Sequence, residues 1–296
     1  MQNVNTSADK SSPSPASAAG LINKLERMKA CLTELGRVAV AFSGGVDSTF
    51  VLKVAVDALG AENVLAVTGV SGSVAASELE DSKQLADRIG ARQVLIDPGE
   101  FDDPNYLANP TNRCFYCKTA LYSRMAEVMG EHDIKTAVNG TNVDDLGDYR
   151  PGLEAAQTHA VVSPCVVAGL TKREIRELSR ELGLPTHDKP AAPCLSSRVQ
   201  YGEAITVEKL RMIEQAEAFL RSLGIRECRV RHHDRLARIE VAPEWIERLS
   251  VQETRVLIDR TFRELGYHYV TLDLRGFRSG SLNEVIAFGR RQTGPA

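Results

Sequence analysis

No stretch of this chain approaches the ~18–20 consecutive apolar residues that a membrane-crossing helix needs, so no membrane partner is expected. Basic charge is not in excess either. Lys and Arg number 36 against 39 Asp and Glu, for a formal net charge of −3. Nucleic-acid binding leans on a clustered basic surface, so a nucleic-acid partner is not expected. The first twenty residues lack the apolar core of a secretory signal and are rich in Ser, Ala and Pro. Residues 1–20 are expected to be a disordered tail. Without a secretory signal, the six cysteines are not expected to build a disulfide framework. Reduced thiols, metal ligation or catalysis in a cytoplasmic protein are the expectation. What remains, 43% hydrophobic and 25% charged over 296 residues, suits a globular protein of one large or two modest domains.

The most informative stretch is Val38-Ala39-Val40-Ala41-Phe42 running into Ser43-Gly44-Gly45-Val46-Asp47-Ser48-Thr49. A helical apolar pattern follows from Phe50 to Leu59. The order reads as buried strand, tight turn and helix N-terminus. Small residues let backbone N–H groups approach an anion, and the helix dipole favours negative charge there. Ser43, Ser48 and Thr49 add hydroxyl donors. No Gly-Lys-Ser/Thr ends the turn, so it is not a Walker A loop. A plain strand–turn–helix joint with an Asp/Ser cap is the structural alternative.

Asn63 to Val70 reads as a second strand, which makes a βαβ unit and hence a parallel sheet. Ligands in such sheets bind beyond the carboxyl ends of the strands; Gly69, Val70, Ser71 and Gly72 fall there. Helices are expected over 21–35, 77–89, 119–130 and 171–182, with capping boxes at Ser77/Glu80 and Thr171/Glu174. Strands are expected over 92–96 and 136–142, a loop over 97–110, and a last, Pro164-interrupted piece of sheet over 161–167. Lys172 sits in the first turn of its helix, where a cation opposes the dipole; a ligand anion or surface chance would account for it. After a proline-rich linker over 185–193, a smaller α+β domain is expected. It has helices over 206–223, 243–249 and 251–265, strands over 227–232 and 237–241, and a β-like segment over 267–274.

Asn112-Arg113-Cys114-Phe115-Tyr116-Cys117-Lys118 leaves several readings open. It could be half a zinc site, a redox pair, two core cysteines, or two ligands of a metal–sulfur centre completed elsewhere. Arg113 and Lys118 favour thiolate. The acidic segment after Gly140 carries Asp144, Asp145, Asp148, Tyr149 and Arg150. By its residues alone it reads as a solvated, capped loop. Cys194 lies between the two halves, where clefts form. Arg229 and Arg231 alternate along one strand and share a face, as a phosphate-binding pair or a solvated basic face.

SGGVDST resembles the PP-loop of the ATP pyrophosphatase superfamily, which holds the pyrophosphate end of ATP. Joined in order by NRCFYCK, PCLSSRVQYGEAIT and RVRHHDRLARIEV, it resembles the LarE family. These are ATP-dependent sulfur transferases of nickel-pincer cofactor biosynthesis, serving lactate racemase. The resemblance covers nearly the whole chain after residue 20. It implies an α/β fold, a PP-loop parallel sheet flanked by helices, with a smaller C-terminal α+β domain. The implied division is 21–190 for the PP-loop domain, 191–204 for a linker with the reactive cysteine, and 205–296 for a substrate and oligomerisation domain.

The resemblance also implies that a carboxylate of pyridinium-3,5-biscarboxylic acid mononucleotide is adenylated and then converted to a thiocarboxylate. Ser43, Gly44, Gly45, Asp47 and Ser48 would hold ATP phosphates, with Thr68, Asp144 and Asp145 near nucleotide or Mg²⁺. Ser197, Arg198, Glu217, Arg229, Arg231 and Arg275 would bind substrate. Two sulfur chemistries occur in the family. Cys194 sacrifices its own sulfur and becomes dehydroalanine, or Cys114, Cys117 and Cys194 hold a [4Fe-4S] cluster carrying an extra sulfide. All three cysteines are present, which favours the cluster. A homo-oligomer is implied. The rivals are a tRNA-thiolating PP-loop enzyme, an ammonia-using synthetase, and a non-catalytic ATP-binding iron–sulfur carrier.

Overall fold

The computed structural model of the chain describes residues 15–147, 150–278 and 282. Residues 1–14 of the expected tail, Asp148, Tyr149 and most residues after 278 lie outside the described residues. The first half runs α1 Pro15–Leu35, β1 Val38–Ala41, α2 Val46–Leu59, β2 Val64–Gly69, α3 Ala76–Ile89 and β3 Arg92–Ile96. It continues with α4 Pro104–Leu107, α5 Arg113–Glu131, β4 Thr136–Val138, α6 Pro151–Thr158, α7 Pro164–Ala168 and α8 Lys172–Glu181. The second half runs α9 Val207–Ser222, β5 Cys228–His233, β6 Leu236–Val241, α10 Pro243–Ser250, α11 Gln252–Glu264 and β7 Tyr269–Leu272.

Four strands form an all-parallel sheet in the order β3-β2-β1-β4. Both faces of such a sheet must be covered, because each crossover lays a helix on one of them. The side-chain alternation of β1 does this. Val38 and Val40 join a core with Met28 and Leu32 of α1, Phe50 and Leu52 of α2, and Ile175 and Leu178 of α8. Ala39 faces the other way, into a core with Leu65 and Val67 of β2, Met125 and Val128 of α5, and Ala155 of α6. Fixed in the middle, β1 delivers the Ser43–Thr49 turn to the carboxyl edge of the sheet.

The second sheet has the order β5-β6-β7. β5 and β6 are an antiparallel hairpin, whereas β6 and β7 are parallel and need the crossover that α10 and α11 provide. Its own core contains Leu220, Val230, Ile239, Phe262 and Tyr267. A fourth cluster of Tyr106, Leu195, Val199, Ile205, Leu210 and Ile213 packs α4 and the 195–205 segment against α9.

Several local expectations are corrected. α1 begins at Pro15, so residues 15–20 belong to a helix. Ser77 and Glu80 make no capping box, because α3 starts one residue early behind Ala75, which has no capping side chain. Thr171 and Glu174 do make theirs. The 97–110 stretch contains α4, started by Pro104 at its first position with the Asp103 carboxylate accepting the Asn105 N–H at 2.8 Å. α5 begins at Arg113, so both cysteines of the CxxC lie in its first turns. The 161–167 segment contributes one bridge, Val162 to Val138, before Pro164 starts α7. Proline has no N–H for a ladder but suits a helix start.

Gly140, just after β4, lets that segment press against the start of α2. A Cβ there would lie 2.8 Å from the Ser48 nitrogen and 2.9 Å from the Asp47 Cβ. Gly140→Ala is expected to lower stability by about 1–3 kcal/mol through overpacking, read as a lower urea midpoint, and to displace Asp47 and Ser48 together.

Candidate active site

The Ser43–Thr49 turn is tied by its own hydroxyls. The Ser43 N–H donates to Ser48 Oγ at 3.2 Å, and the two serine hydroxyls are 3.1 Å apart. Gly44 has φ +70, and Ser82 of α3 lies 3.1 Å from where its Cβ would be. Glycine is therefore required twice over, by backbone strain and by space. Gly45 stands at the N-cap of α2 with no side-chain cap, so the first N–H groups of the helix are available to an anion.

Charges gather around this turn. Lys172 Nζ pairs with the Asp47 carboxylate, and the Lys172 N–H donates to Asp144 Oδ2 at 2.8 Å. Asn142 Nδ2 reaches Asp47 Oδ1 at 3.4 Å, and Asp145 accepts the Asn142 N–H at 3.0 Å and pairs with Arg150 at 2.7 Å. Asp47, Asp144 and Asp145 are thus brought together, with Lys172 among them as a cation beside the Ser43–Thr49 turn. Thr68 is turned inward. Its hydroxyl donates to the Phe42 carbonyl at 2.8 Å and accepts from Gln93 at 2.8 Å.

The second group is the thiols. Cys114 and Cys194 are exposed and Cys117 is half-buried, whereas Cys165 and Cys228 are buried in the cores. Burial and the neighbouring Cys194 push the Cys117 thiol up to about 12, and the same two causes raise Cys114. Burial alone would lower Lys118, yet the neighbouring Tyr122, Cys117, Cys114 and Cys194 outweigh it and raise its pKa, while the two CxxC thiols are held up rather than favoured as thiolates. Lys118 and the three cysteines therefore share one electrostatic environment. They do not stand at ligand distance: among the described residues, no three His, Cys, Asp or Glu side chains are grouped to hold a metal ion.

Asn109 brings the two cysteine segments together. It is fully buried with φ 51, a backbone state that asparagine tolerates better than most residues. Its Nδ2 donates to the carbonyls of Gln200 at 2.6 Å and Glu203 at 3.1 Å, and its Oδ1 accepts from Arg113 at 2.9 Å. The 199–203 turn is thereby fastened to the start of α5. Tyr106 adds a 2.7 Å hydrogen bond to Ser196.

Arg198, Arg229 and Arg231 are buried rather than a solvated face. Arg198 makes a two-pronged pair with Glu217 at 2.9 and 3.0 Å and donates to the Cys194 carbonyl at 3.0 Å. Glu217 also accepts the Val230 N–H at 3.0 Å, so its oxygens are engaged inside the protein. Arg229 donates to the Ala191 carbonyl at 2.7 Å and lies over the Phe277 ring. Arg231 donates to the Ser197 carbonyl at 2.8 Å and pairs with Glu240 at 2.9 Å. All three arginines grip the segment that carries Cys194. Ser197 sits in that segment, its hydroxyl accepting from Arg198 at 3.0 Å. Arg275 is exposed, its backbone N–H bound to Asp273. Sequence reading passed over Asn109 and Gln93; Asn-Pro at 109–110 was the only local signal, for a turn.

A family model described as NAD synthase matches residues 22–103. An uncharacterized protein of Synechocystis sp. is 46% identical over 266 residues, covering 90% of this chain and 99% of that protein. The pyridinium-3,5-bisthiocarboxylic acid mononucleotide synthase of Lactiplantibacillus plantarum is 38% identical over 268 residues, covering 90% of this chain and 96% of that protein. The NH(3)-dependent NAD(+) synthetase of Methanococcoides burtonii is 25% identical over 185 residues, covering 54% of this chain and 62% of that protein.

The Arg198–Glu217 pair gives a pH signature. Burial alone would raise the Glu217 carboxyl, but Arg198 and the Val230 N–H hold it below its ordinary 4.5. A carboxyl held down in the folded state contributes stability that is present above 4.5 and lost as pH falls through the folded value. Glu217→Gln should remove that part of the acid limb in denaturant titrations. It should also strand Arg198 and lower stability at neutral pH by about 3–5 kcal/mol.

Proposed function

This chain belongs to the LarE family, that of the pyridinium-3,5-bisthiocarboxylic acid mononucleotide synthases, and we propose that it acts as they are named: an ATP-dependent sulfurtransferase for a pyridinium mononucleotide. The observation that carries the reading is the 2.8 Å hydrogen bond from the Leu195 N–H to the Ser73 carbonyl. It fastens the residue after Cys194 to the turn that follows β2, at the carboxyl edge where the Ser43–Thr49 turn also lies. Activating and sulfur-bearing groups then border one site.

In this reading the α2 N-terminus, Ser43, Gly44, Gly45 and Ser48 hold the ATP phosphates. Asp47, Asp144 and Asp145 are oxygen donors of the kind Mg²⁺ takes, with Lys172 supplying further positive charge. A substrate carboxylate attacks the α-phosphorus of ATP, pyrophosphate leaves, and the carbonyl becomes open to sulfur with AMP as leaving group. Arg198, Arg229 and Arg231 act first by holding the Cys194 segment, with Ser197 and Arg275 nearer the substrate.

Cys114, Cys117 and Cys194 would hold the [4Fe-4S] cluster. The donor set suits it in kind, since clusters take thiolates, and thiols that raise one another are relieved by a cation among them. When bound, such a cluster supplies a renewable sulfide; without it, the Cys194 sulfur itself is given up. The division at 21–190, 191–204 and 205–296 is part of the proposal, supported by the separate cores of the two sheets. So is a homo-oligomer, supported by β7, which has no second neighbouring strand among the described residues and leaves Tyr269 65% exposed.

Anaerobic incubation with ATP, Mg²⁺ and the dicarboxylated pyridinium mononucleotide should release pyrophosphate and yield a product in which sulfur has replaced oxygen, seen by mass spectrometry. Cys194→Ser should lower the product at least ~100-fold while pyrophosphate release persists; full thiolation by that variant would refute the role. Iron and acid-labile sulfide in the purified protein should fall in Cys114→Ser and Cys117→Ser. Their absence from the wild type would leave sacrifice of Cys194.

A further inference from the structure

Glu100 follows β3 and is 1% exposed. Its Oε1 accepts from the Ser71 hydroxyl at 2.5 Å and the Ser73 hydroxyl at 3.1 Å, and those hydroxyls are 2.9 Å apart. Oε2 is buried with no hydrogen-bond partner, and no ion pair to Glu100 is found among the described residues. A buried carboxylate without a counter-charge is an expensive choice; a neutral amide would fill the same space at lower cost. What the charge provides is strength, because hydrogen bonds to an ionised acceptor are roughly twice as strong as neutral ones. Here two such bonds converge on one oxygen and lock the 71–73 turn.

That turn touches both halves of the site. It continues from β2 at the nucleotide edge, and the Ser73 carbonyl accepts the Leu195 N–H at 2.8 Å. Ser73 itself is 4% exposed. The same carboxylate adds to the upward shift of Cys117, so it borders the thiols as well.

We propose that Glu100 is a positioning residue for Cys194, acting through Ser71 and Ser73. Its carboxylate braces the turn whose backbone carries the Cys194 segment, so that the sulfur centre is held in register with the nucleotide edge. This rests on the sulfurtransferase reading for its consequence in turnover, but not for its geometry. A displacement of about 1 Å in such a site can cost 100-fold in rate, whereas adenylation, which needs the Ser43–Thr49 turn, is untouched.

Glu100→Gln, Glu100→Ala and Ser73→Ala test it. Hydrogen exchange of the peptide spanning Leu195 should quicken at least ~10-fold in Glu100→Ala, with β1 amides unchanged. In turnover, thiolated product should fall at least ~10-fold while pyrophosphate release stays within about twofold of the wild type, so that adenylation runs uncoupled. Glu100→Gln should unfold at no lower temperature than the wild type, because it removes an uncompensated buried charge, yet should uncouple. Unchanged Leu195 exchange, or pyrophosphate and product falling together or not at all, overturns the proposal. A wild type that makes no product from the pyridinium nucleotide sinks the functional reading instead; the exchange measurement still decides the brace.

Discussion

The segment from Ala191 to Glu203 has almost no strand or helix of its own, and every backbone group it buries must find a partner elsewhere. That constraint shapes the junction. Arg229 takes the Ala191 carbonyl, Arg198 those of Pro193 and Cys194, Arg231 that of Ser197, and Asn109 those of Gln200 and Glu203. The Leu195 N–H goes to Ser73. Charged and amide side chains from both halves thus stand in for a regular ladder. The buried carboxylates Glu217 and Glu240 balance the arginines, which could not otherwise be held out of water.

This arrangement explains how Cys194 can be exposed and still well placed. Its neighbours Leu195 and Ser196 are buried, one in the cluster with Tyr106 and the other against the Tyr106 hydroxyl. The start of α5, with Cys114 and Cys117, is held to the same segment by Asn109 and Arg113, and Arg113 also lies over the Tyr201 ring. Lys118 then sits beside three thiols that share its electrostatic environment. At the Ser43–Thr49 turn Lys172 pairs with Asp47. Each half of the site therefore carries one lysine facing the groups that the chemistry would charge.

Much of the first half was legible in the chain. The run from Val38 to Thr49 announces strand, turn and helix because burial, glycine and helix spacing all agree locally. The strand at 92–96 and the Thr171/Glu174 capping box were read for the same reason. Failures came where tertiary contacts overrule local signals. Ser77 and Glu80 have the spacing of a box but lie inside the helix, one turn position too late. Pro164 ends a strand-like run by starting a helix. Arg229 and Arg231 were read as facing solvent or a phosphate, since their spacing does not reveal that carbonyls of residues 191 and 197 would cover them.

Sequence by itself determined the strand–turn–helix around Ser43–Thr49, the parallel sheet behind it and the kinds of atom available, thiols and carboxylates, because these depend on neighbours within a few residues. Only the tertiary structure decided that Cys114, Cys117 and Cys194 share one environment, that Glu217 belongs to Arg198, and that Glu100 braces the 71–73 turn. The last two join residues 19 to 29 positions apart in the chain, and Cys194 lies far along the chain from the CxxC. No local propensity encodes them; they exist because buried polar groups of an irregular segment must be satisfied by whatever the fold brings beside it.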